Sequence, residues 1–330
     1  MKLYFAPLEG ITDSIYRSIH HDCFGGISKY FIPFITSVSG SGLTNREKRS
    51  LLENNPPRIC CVPQILTKDA QNFIRCAHML REKGFEEINL NLGCPSGTVT
   101  AKGKGAALLR DTANLKAFLG EIFDGADMPR LSVKTRIGYA DLNGWEEIYS
   151  ILAGFPFAEI IVHPRTRSEF YKGAPHTDAL EICDFSSVST VYNGDVFSPR
   201  DANCLTARYP NLNTIMCGRG LIANPALARE ISTGRRINKQ ELKAFLDKLL
   251  YAYMHDRPEK AVLGRMDEIM SYAAAIFENG RKALKRIRKA KRIDEFSDAI
   301  EDMFEVCELK DKPYYDPLAF SVSDSSTPVI

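Results

Sequence analysis

Residues 69–95 read DAQNFIRCAHMLREKGFEEINLNLGCP, and this stretch holds one unit of the fold. Asp69–Lys83 is amphipathic, with Phe73, Ala77 and Leu80 at helical spacing. Glu87–Leu92 is a short run rich in Ile and Leu, closed by Gly93-Cys94-Pro95, which can continue neither a helix nor a strand. A helix feeding a short apolar strand is the alternation that builds parallel βα units. Working outward, β-rich runs recur at Leu3–Leu8, Lys29–Ile35, Arg58–Ile65, Leu131–Ile137, Glu159–His163, Ser189–Asn193 and Thr214–Cys217, with amphipathic segments such as Thr112–Asp124 and Trp145–Leu152 between them. With Glu87–Leu92 that makes eight strands, and eight units in about 230 residues is the size of a (β/α)8 TIM barrel. A doubly wound α/β sheet would carry G-x-G-x-x-G after its first strand, and that motif is missing.

The pattern changes after Asn224-Pro225. Beyond Ile237-Asn238-Lys239 the sequence is helix-forming without β-rich runs, and it predicts helices over Lys239–His255, Pro258–Phe277, Gly280–Ile287 and Ile293–Cys307. The expected organisation is an α/β barrel domain over 1–235, a small all-α helical bundle over 240–310 and a polar, flexible tail over 311–330.

Composition narrows the function classes. In 330 residues, 44% are hydrophobic and 25% charged, which suits a globular protein with a sizeable core. A net charge of +2 means that any nucleic-acid partner must be met by a local patch. Nine cysteines without a C-x-x-C pair argue against a disulfide framework, a metal site or an iron–sulfur cluster. The N-terminus MKLYFAPLEG has no secretory apolar region and no run reaches the length of a membrane span, so the expected compartment is the cytoplasm and no membrane partner is expected.

A barrel builds its site at the C-terminal ends of its strands. Those ends carry Pro7-Leu8-Glu9, Gln64, Asn91 with Cys94, Lys134 with Arg136, His163 with Arg165 and Thr166, Asn193-Gly194-Asp195, and Gly218-Arg219-Gly220. The last two turns follow strands 7 and 8, the usual phosphate site of barrels, where glycines let backbone N–H groups approach an anion and Arg219 adds charge. A buried Cys is ordinarily a small hydrophobe, but Cys94 lies between a glycine and a proline at a strand end, where it should face the pocket. A lysine on a barrel strand needs a partner, so Lys134 is read as facing a cofactor.

In this order the residues resemble the tRNA-dihydrouridine synthase family. Ala6-Pro7-Leu8-Glu9-Gly10-Ile11-Thr12-Asp13 is similar to its opening A-P-M-x-G-x-T/S-D. Asn91-Leu92-Gly93-Cys94-Pro95 resembles N-x-G-C-P, Lys134-Thr135-Arg136-Ile137-Gly138 resembles K-x-R-x-G, and His163-Pro164-Arg165-Thr166 resembles H-x-R-T. Pro164, Glu9 and the pair Thr98-Val99 depart from the commonest pattern, and Glu9 with Thr98-Val99 leans towards the DusC-like branch.

The resemblance implies FMN over the barrel mouth. Pro7, Leu8 and Glu9 would line the ring, Gln64 and Lys134 would bond its polar edge, and His163 would lie nearby. Asn193, Gly194, Asp195, Gly218 and Arg219 would hold the phosphate. Cys94 would be the proton donor, Asn91 would help place a uracil, and NADPH would be the reductant. The substrate would be a uridine of the tRNA D-loop and the protein a monomer, with no metal. Reducing the C5=C6 bond needs a hydride at C6 and a proton at C5, and a neutral thiol is a suitable acid at neutral pH.

Residues 281–292 carry eight basic residues and no acidic one. Read as a helix, they put Arg281, Lys285, Arg288 and Arg292 on one face, with Lys282, Arg286 and Lys289 beside it, as a phosphate-contacting surface. Lys102 in the glycine-rich loop Thr98–Gly105 and Arg165 at the mouth are further candidates for RNA contact. Two other functions fit parts of the pattern: a dihydroorotate dehydrogenase-like FMN barrel acting on a small pyrimidine, and a non-enzymatic RNA-binding barrel.

Overall fold

Eight parallel strands close into a barrel in the computed structural model, which describes residues 1–36, 43, 44, 47, 48, 51, 59–125 and 127–311. They are β1 (Lys2–Phe5), β2 (Lys29–Ile35), β3 (Cys61–Ile65), β4 (Glu87–Leu92), β5 (Arg130–Arg136), β6 (Glu159–His163), β7 (Thr190–Asn193) and β8 (Thr214–Cys217). Each pairs in parallel with the next, and β1 closes on β8 in the register Tyr4↔Met216. This is the expected (β/α)8 architecture. The strand read from Arg58 begins at Cys61, and Arg58 itself lies outside the described residues, as do 312–330 of the tail.

Around the barrel run α1 (Ser14–Cys23), α2 (Ala70–Glu82), α3 (Thr112–Phe123), α4 (Trp145–Ala153) and α5 (Pro199–Arg208), with the short α6 (Arg219–Ala223) and α7 (Leu227–Thr233) after β8. Their starts are fixed by side chains that satisfy orphan first-turn N–H groups: Asp13, Asp69, Asp111 and Ser198 each cap a helix. α2 turns Phe73, Ala77 and Leu80 onto the sheet, the same residues that marked it in the sequence.

Inside the barrel, Tyr4, Ala6, Phe31, Val62, Ile161, Val191 and Met216 pack together. Alternation along each strand puts these inside and their neighbours under the helices. At the N-terminal end the interior is closed by ions: Lys29 bridges Glu87 (2.7 Å) and Glu159 (2.9 Å), and Tyr4 donates to Glu159 (2.6 Å). At the other end the interior turns polar, and the site begins there. β2 and β3 slip register between Ile32 and Ile35, around Pro33, which lacks an N–H for the ladder. Phe34, beside that slip, lines the pocket.

The helical region follows as α8 (Lys239–Asp256), α9 (Glu259–Ala273), α10 (Gly280–Ile287) and α11 (Ile293–Val306). Asn238 and Glu241 form a reciprocal capping box at the start of α8. The basic run is not one helix. α10 stops at Ile287, and Arg292 is the N-cap of α11, so Arg292 does not continue the face of Arg281. No described helix is long and apolar enough to cross a membrane.

Candidate active site

A pocket of about 70 Å³, open to solvent on one side, lies at the C-terminal ends of the strands, lined by Pro7, Leu8, Glu9, Pro33, Phe34, Gln64, Asn91, Gly93, Cys94, Pro95, Lys134, Arg136, His163 and Tyr171. A wider, shallower depression lined by His78, Arg81, Glu82 and Asp127 lies at the opposite rim and gathers no comparable set of buried reactive groups.

Cys94 is held by its neighbours. The Asn91 Oδ1 accepts from the backbone N–H of Gly93 (3.0 Å) and of Cys94 (2.9 Å). Asn91 Nδ2 donates to Gln64 Oε1 (2.7 Å), Gln64 Nε2 to Asn89 Oδ1 (2.7 Å), and Asn89 Nδ2 to Ser132 Oγ (2.9 Å). This buried amide chain crosses three strands and ends on the cysteine loop, so Asn91 positions that loop through one face of its amide. From the other side Arg136 donates through Nε to Gly93 O (2.9 Å) and through a terminal nitrogen to Thr166 O (2.7 Å). Burial pushes the Cys94 thiol above its ordinary range, against smaller opposing contributions from the Ser96 backbone and the charges of Arg136 and Lys134. The thiol is therefore protonated at neutral pH.

The loop after Cys94 folds back on it. A single helical turn, Gly97–Thr100, leads to Gly105, where an added Cβ would stand 3.0 Å from both Cys94 Cβ and Cys94 O at φ +61°. Only glycine fits that close approach. Lys102 is exposed in this loop.

Lys134 points into the pocket with no hydrogen-bond or ion-pair partner among the described residues. Burial, reinforced by the charge of Arg136, brings its ammonium down to about 7. His163 is also kept neutral, first by burial and then by Arg136, Lys134, Arg165 and Arg219 around it. Arg165 donates to His163 Nε2 (3.1 Å), so the ring proton sits on Nδ1.

Several expectations change here. Arg165 is fully buried: it pairs with Asp195 (2.5 Å) and donates to Gly173 O (2.6 Å), so it cannot meet RNA at the surface. Thr166 is buried as well, on Glu169 (2.6 Å from its N–H). The two predicted phosphate turns do come together, but through an ion pair. Asp195 binds Arg219 (2.5 Å) as well as Arg165, so its carboxylate orients Arg219, and toward an anion it would itself be repulsive. Asn193 spends Nδ2 on Met216 O (2.8 Å). Gly194 is needed for packing, since an added Cβ would collide with the Tyr192 hydroxyl at 2.1 Å. Gly218 is the N-cap of α6, and Arg219 stands at the first position of that short helix.

Six residues of the pocket, Pro33, Phe34, Gly93, Pro95, Arg136 and Tyr171, were given no site role from sequence, and two of them, Arg136 and Tyr171, bring polar side chains. Arg136 stood inside the K-x-R-x-G resemblance and could have been chosen from it. Tyr171 carried no signal. Its ring lies under Arg136 (5.3 Å) and Arg219 (4.9 Å) and beside His163 (6.0 Å). The preceding Phe170 sits at φ +54°, a strained conformation for a bulky side chain, which marks this turn as held by its surroundings.

The helical region also differs from its expectation. The basic run is partly neutralised: across helices Arg286 pairs with Asp302 and Arg288 lies 3.6 Å from Asp267, while Arg292 pairs with Asp294 in the first turn of the helix it caps. Lys282, Lys285 and Lys289 are exposed and have no ion-pair partner among the described residues. The same residues contain no group of three or more side chains that could hold a metal ion.

Fold and site define a (β/α)8 protein with a thiol, a lysine without an ion-pair partner among the described residues and an arginine-bearing turn gathered at one mouth, and a helical region attached. The family model described as dihydrouridine synthase (Dus) matches residues 4–312, and the chain belongs to that family. It is 27% identical to "Probable tRNA-dihydrouridine synthase 2" of Bacillus subtilis over 266 residues, 77% of this chain and 78% of that one. It is also 27% identical to "tRNA-dihydrouridine synthase B" of Escherichia coli K12 over 232 residues, 70% of this chain and 71% of the other. Neither name supports the lean towards the DusC-like branch. Among solved structures, "TcOYE with pHBA" superposes with a TM-score of 0.52 at 8% identity, over 78% of this chain and 95% of that one, a likeness of fold alone.

Proposed function

We propose that this chain is a tRNA-dihydrouridine synthase that binds FMN at the barrel mouth and reduces the C5=C6 bond of a uridine in the tRNA D-loop, with NADPH as reductant. The observation that carries the reading is the placement of a protonated, doubly tethered Cys94 in one pocket with a lysine that has no partner among the described residues. The residues suit the cofactor. Lys134 would meet the electron-rich edge of the ring together with the free N–H of Gln64, Pro7 and Leu8 would lie against its face, and Arg219 with the α6 N–H groups would take the phosphate. When bound and reduced, FMN supplies the hydride for C6 of the uracil. Cys94 then delivers the proton to C5, and Asn91 and Arg136 keep the sulfur where that carbon must come. The target base has to leave its stack to reach this depth.

The first test is an absorption spectrum of the purified protein, then incubation with NADPH and unmodified tRNA and mapping of dihydrouridine by position. Flavin bands bleached by NADPH, with dihydrouridine at a defined position, support the reading. Turnover of dihydroorotate or orotate with no product in tRNA would favour the small-pyrimidine reductase instead. A protein that takes up no flavin but binds tRNA would favour the RNA-binding barrel.

The grip on RNA falls to Lys282, Lys285 and Lys289. Changing all three to glutamate should weaken tRNA binding and reduce the slope of log affinity against log salt by about two, at roughly 0.7–0.9 per lost phosphate contact. The same change at Arg286 should matter less for the slope, because Asp302 already answers it. An unaltered slope in the triple-lysine variant would remove this surface from the RNA interface.

A further inference from the structure

The loop that lines the pocket with Pro7, Leu8 and Glu9 ends at Asp13, and Asp13 does two jobs. One carboxylate oxygen caps α1 by accepting from Tyr16 N (2.9 Å). The same carboxylate receives Arg257 (2.6 Å) and the Tyr253 hydroxyl (3.1 Å) from the C-terminal end of α8, and Arg265 of α9 stands 4.0 Å away. Capping alone does not require aspartate, since asparagine and serine cap as well. Two guanidinium groups arriving from two helices do require a carboxylate. The contact is sheltered, with side-chain exposures of 19% for Asp13, 21% for Arg257 and 16% for Arg265.

The other charges around it serve the same joint. Asp256 holds Arg257 Nε (2.9 Å), Arg257 lies over the Tyr253 ring (4.7 Å), and Glu268 approaches Arg265 (3.6 Å). Asp267, next to Glu268 on α9, reaches Arg288 in the basic run (3.6 Å), and Arg288 also donates to Ser271 of α9 (2.9 Å). One stretch of α9 is thus tied to the flavin-side loop at one end and to the basic surface at the other.

We propose that Asp13 is a positioning residue that fixes the helical region against the pocket loop and so sets which nucleotide of a bound RNA reaches Cys94. The inference rests on the tRNA reading above and adds to it the element that determines site choice. A surface that grips phosphates without reading sequence can select a base only by its rigid distance and angle from the pocket. Asp13 holds that distance.

The test compares wild type with Asp13→Asn, which keeps the cap and removes the charge. Arg257→Gln serves as the reciprocal variant and covers a failure of Asp13→Asn to fold. The expected result is unchanged flavin content and a fall of about tenfold in kcat/KM at the main position, in line with the sensitivity of reaction rate to small misplacements. Product should spread to neighbouring uridines, and amides at the α1–α8 joint should exchange hydrogen faster. The Asp13→Asn/Arg257→Gln pair should be no worse than either change alone, because both remove one interaction. An unchanged position map and rate, or an activity loss that merely tracks lost flavin, would overturn the proposal. If wild type forms no dihydrouridine in tRNA, the function reading fails by itself. The exchange data then decide the joint: unchanged protection in Asp13→Asn overturns it, and loosened protection upholds it.

Discussion

Cys94→Ala should retain flavin and tRNA binding and lose reduction activity by about 10²–10⁴-fold, the usual worth of a positioned general acid. The thiol has the right property for this role. Burial pushes it upward, so it keeps its proton through neutral pH. A carboxylic acid in its place would be ionised there. The sign for pH dependence follows. The active form is the protonated one, so single-turnover rates should be flat through neutral pH and fall only as pH rises above the ordinary thiol range. In Cys94→Ala that alkaline limb should vanish with the activity. Asn91→Ala should act differently, since it leaves the acid intact and releases both amide tethers of its loop. It should slow turnover while leaving the position of the alkaline limb near that of wild type. Rapid-quench measurement of dihydrouridine over pH 6 to about 10 separates the two, and undiminished turnover in Cys94→Ala would end the proton-donor assignment.

The barrel was legible because strand and helix periods differ and glycine-proline punctuation marks each end. Seven of the eight runs begin within two residues of the observed strand, and the eighth was read three residues early at Arg58. The candidate pocket was legible to the extent that it is set by position along a strand, as with Gln64, Lys134 and His163, or just past a strand end, as with Cys94. What the sequence hid depends on tertiary pairing. Arg165 looks like a surface cation until Asp195, thirty residues on, is seen to bury it. The basic run looks unopposed until α9 and α11 bring Asp267 and Asp302 against it. Tyr171 enters the pocket through a strained turn at Phe170, and no local pattern predicts φ +54° for a phenylalanine. Asp13 could be read as a cap, but its second partner set lies about 240 residues away.

Lys134→Met should weaken FMN binding at pH 7 by about ten- to a hundredfold, the loss of one charge-assisted hydrogen bond of roughly 1.5–3 kcal/mol. The same change should stabilise the flavin-free protein. The buried ammonium is brought down to about 7, whereas an unfolded lysine titrates near about 10.4. Between those values the unfolded chain binds more protons than the folded one, so wild-type stability rises with pH across that window, and below about pH 7 the full penalty of a buried charge applies. The gain in Tm from Lys134→Met should therefore be largest below pH 7 and fade towards pH 10. Flavin binding should carry the opposite dependence. An acceptor on the ring edge favours the charged lysine, so complex formation takes up a proton above pH 7, and wild-type affinity should weaken with rising pH while that of the methionine variant stays flat. Fluorescence titration of FMN from pH 6 to about 9, with thermal melts of the apoprotein over the same range, tests both halves. Wild-type affinity in Lys134→Met would remove the lysine from the flavin site. An apoprotein stability that does not respond to the substitution would show that the ammonium has a partner in solution, in which case its place in the pocket is structural.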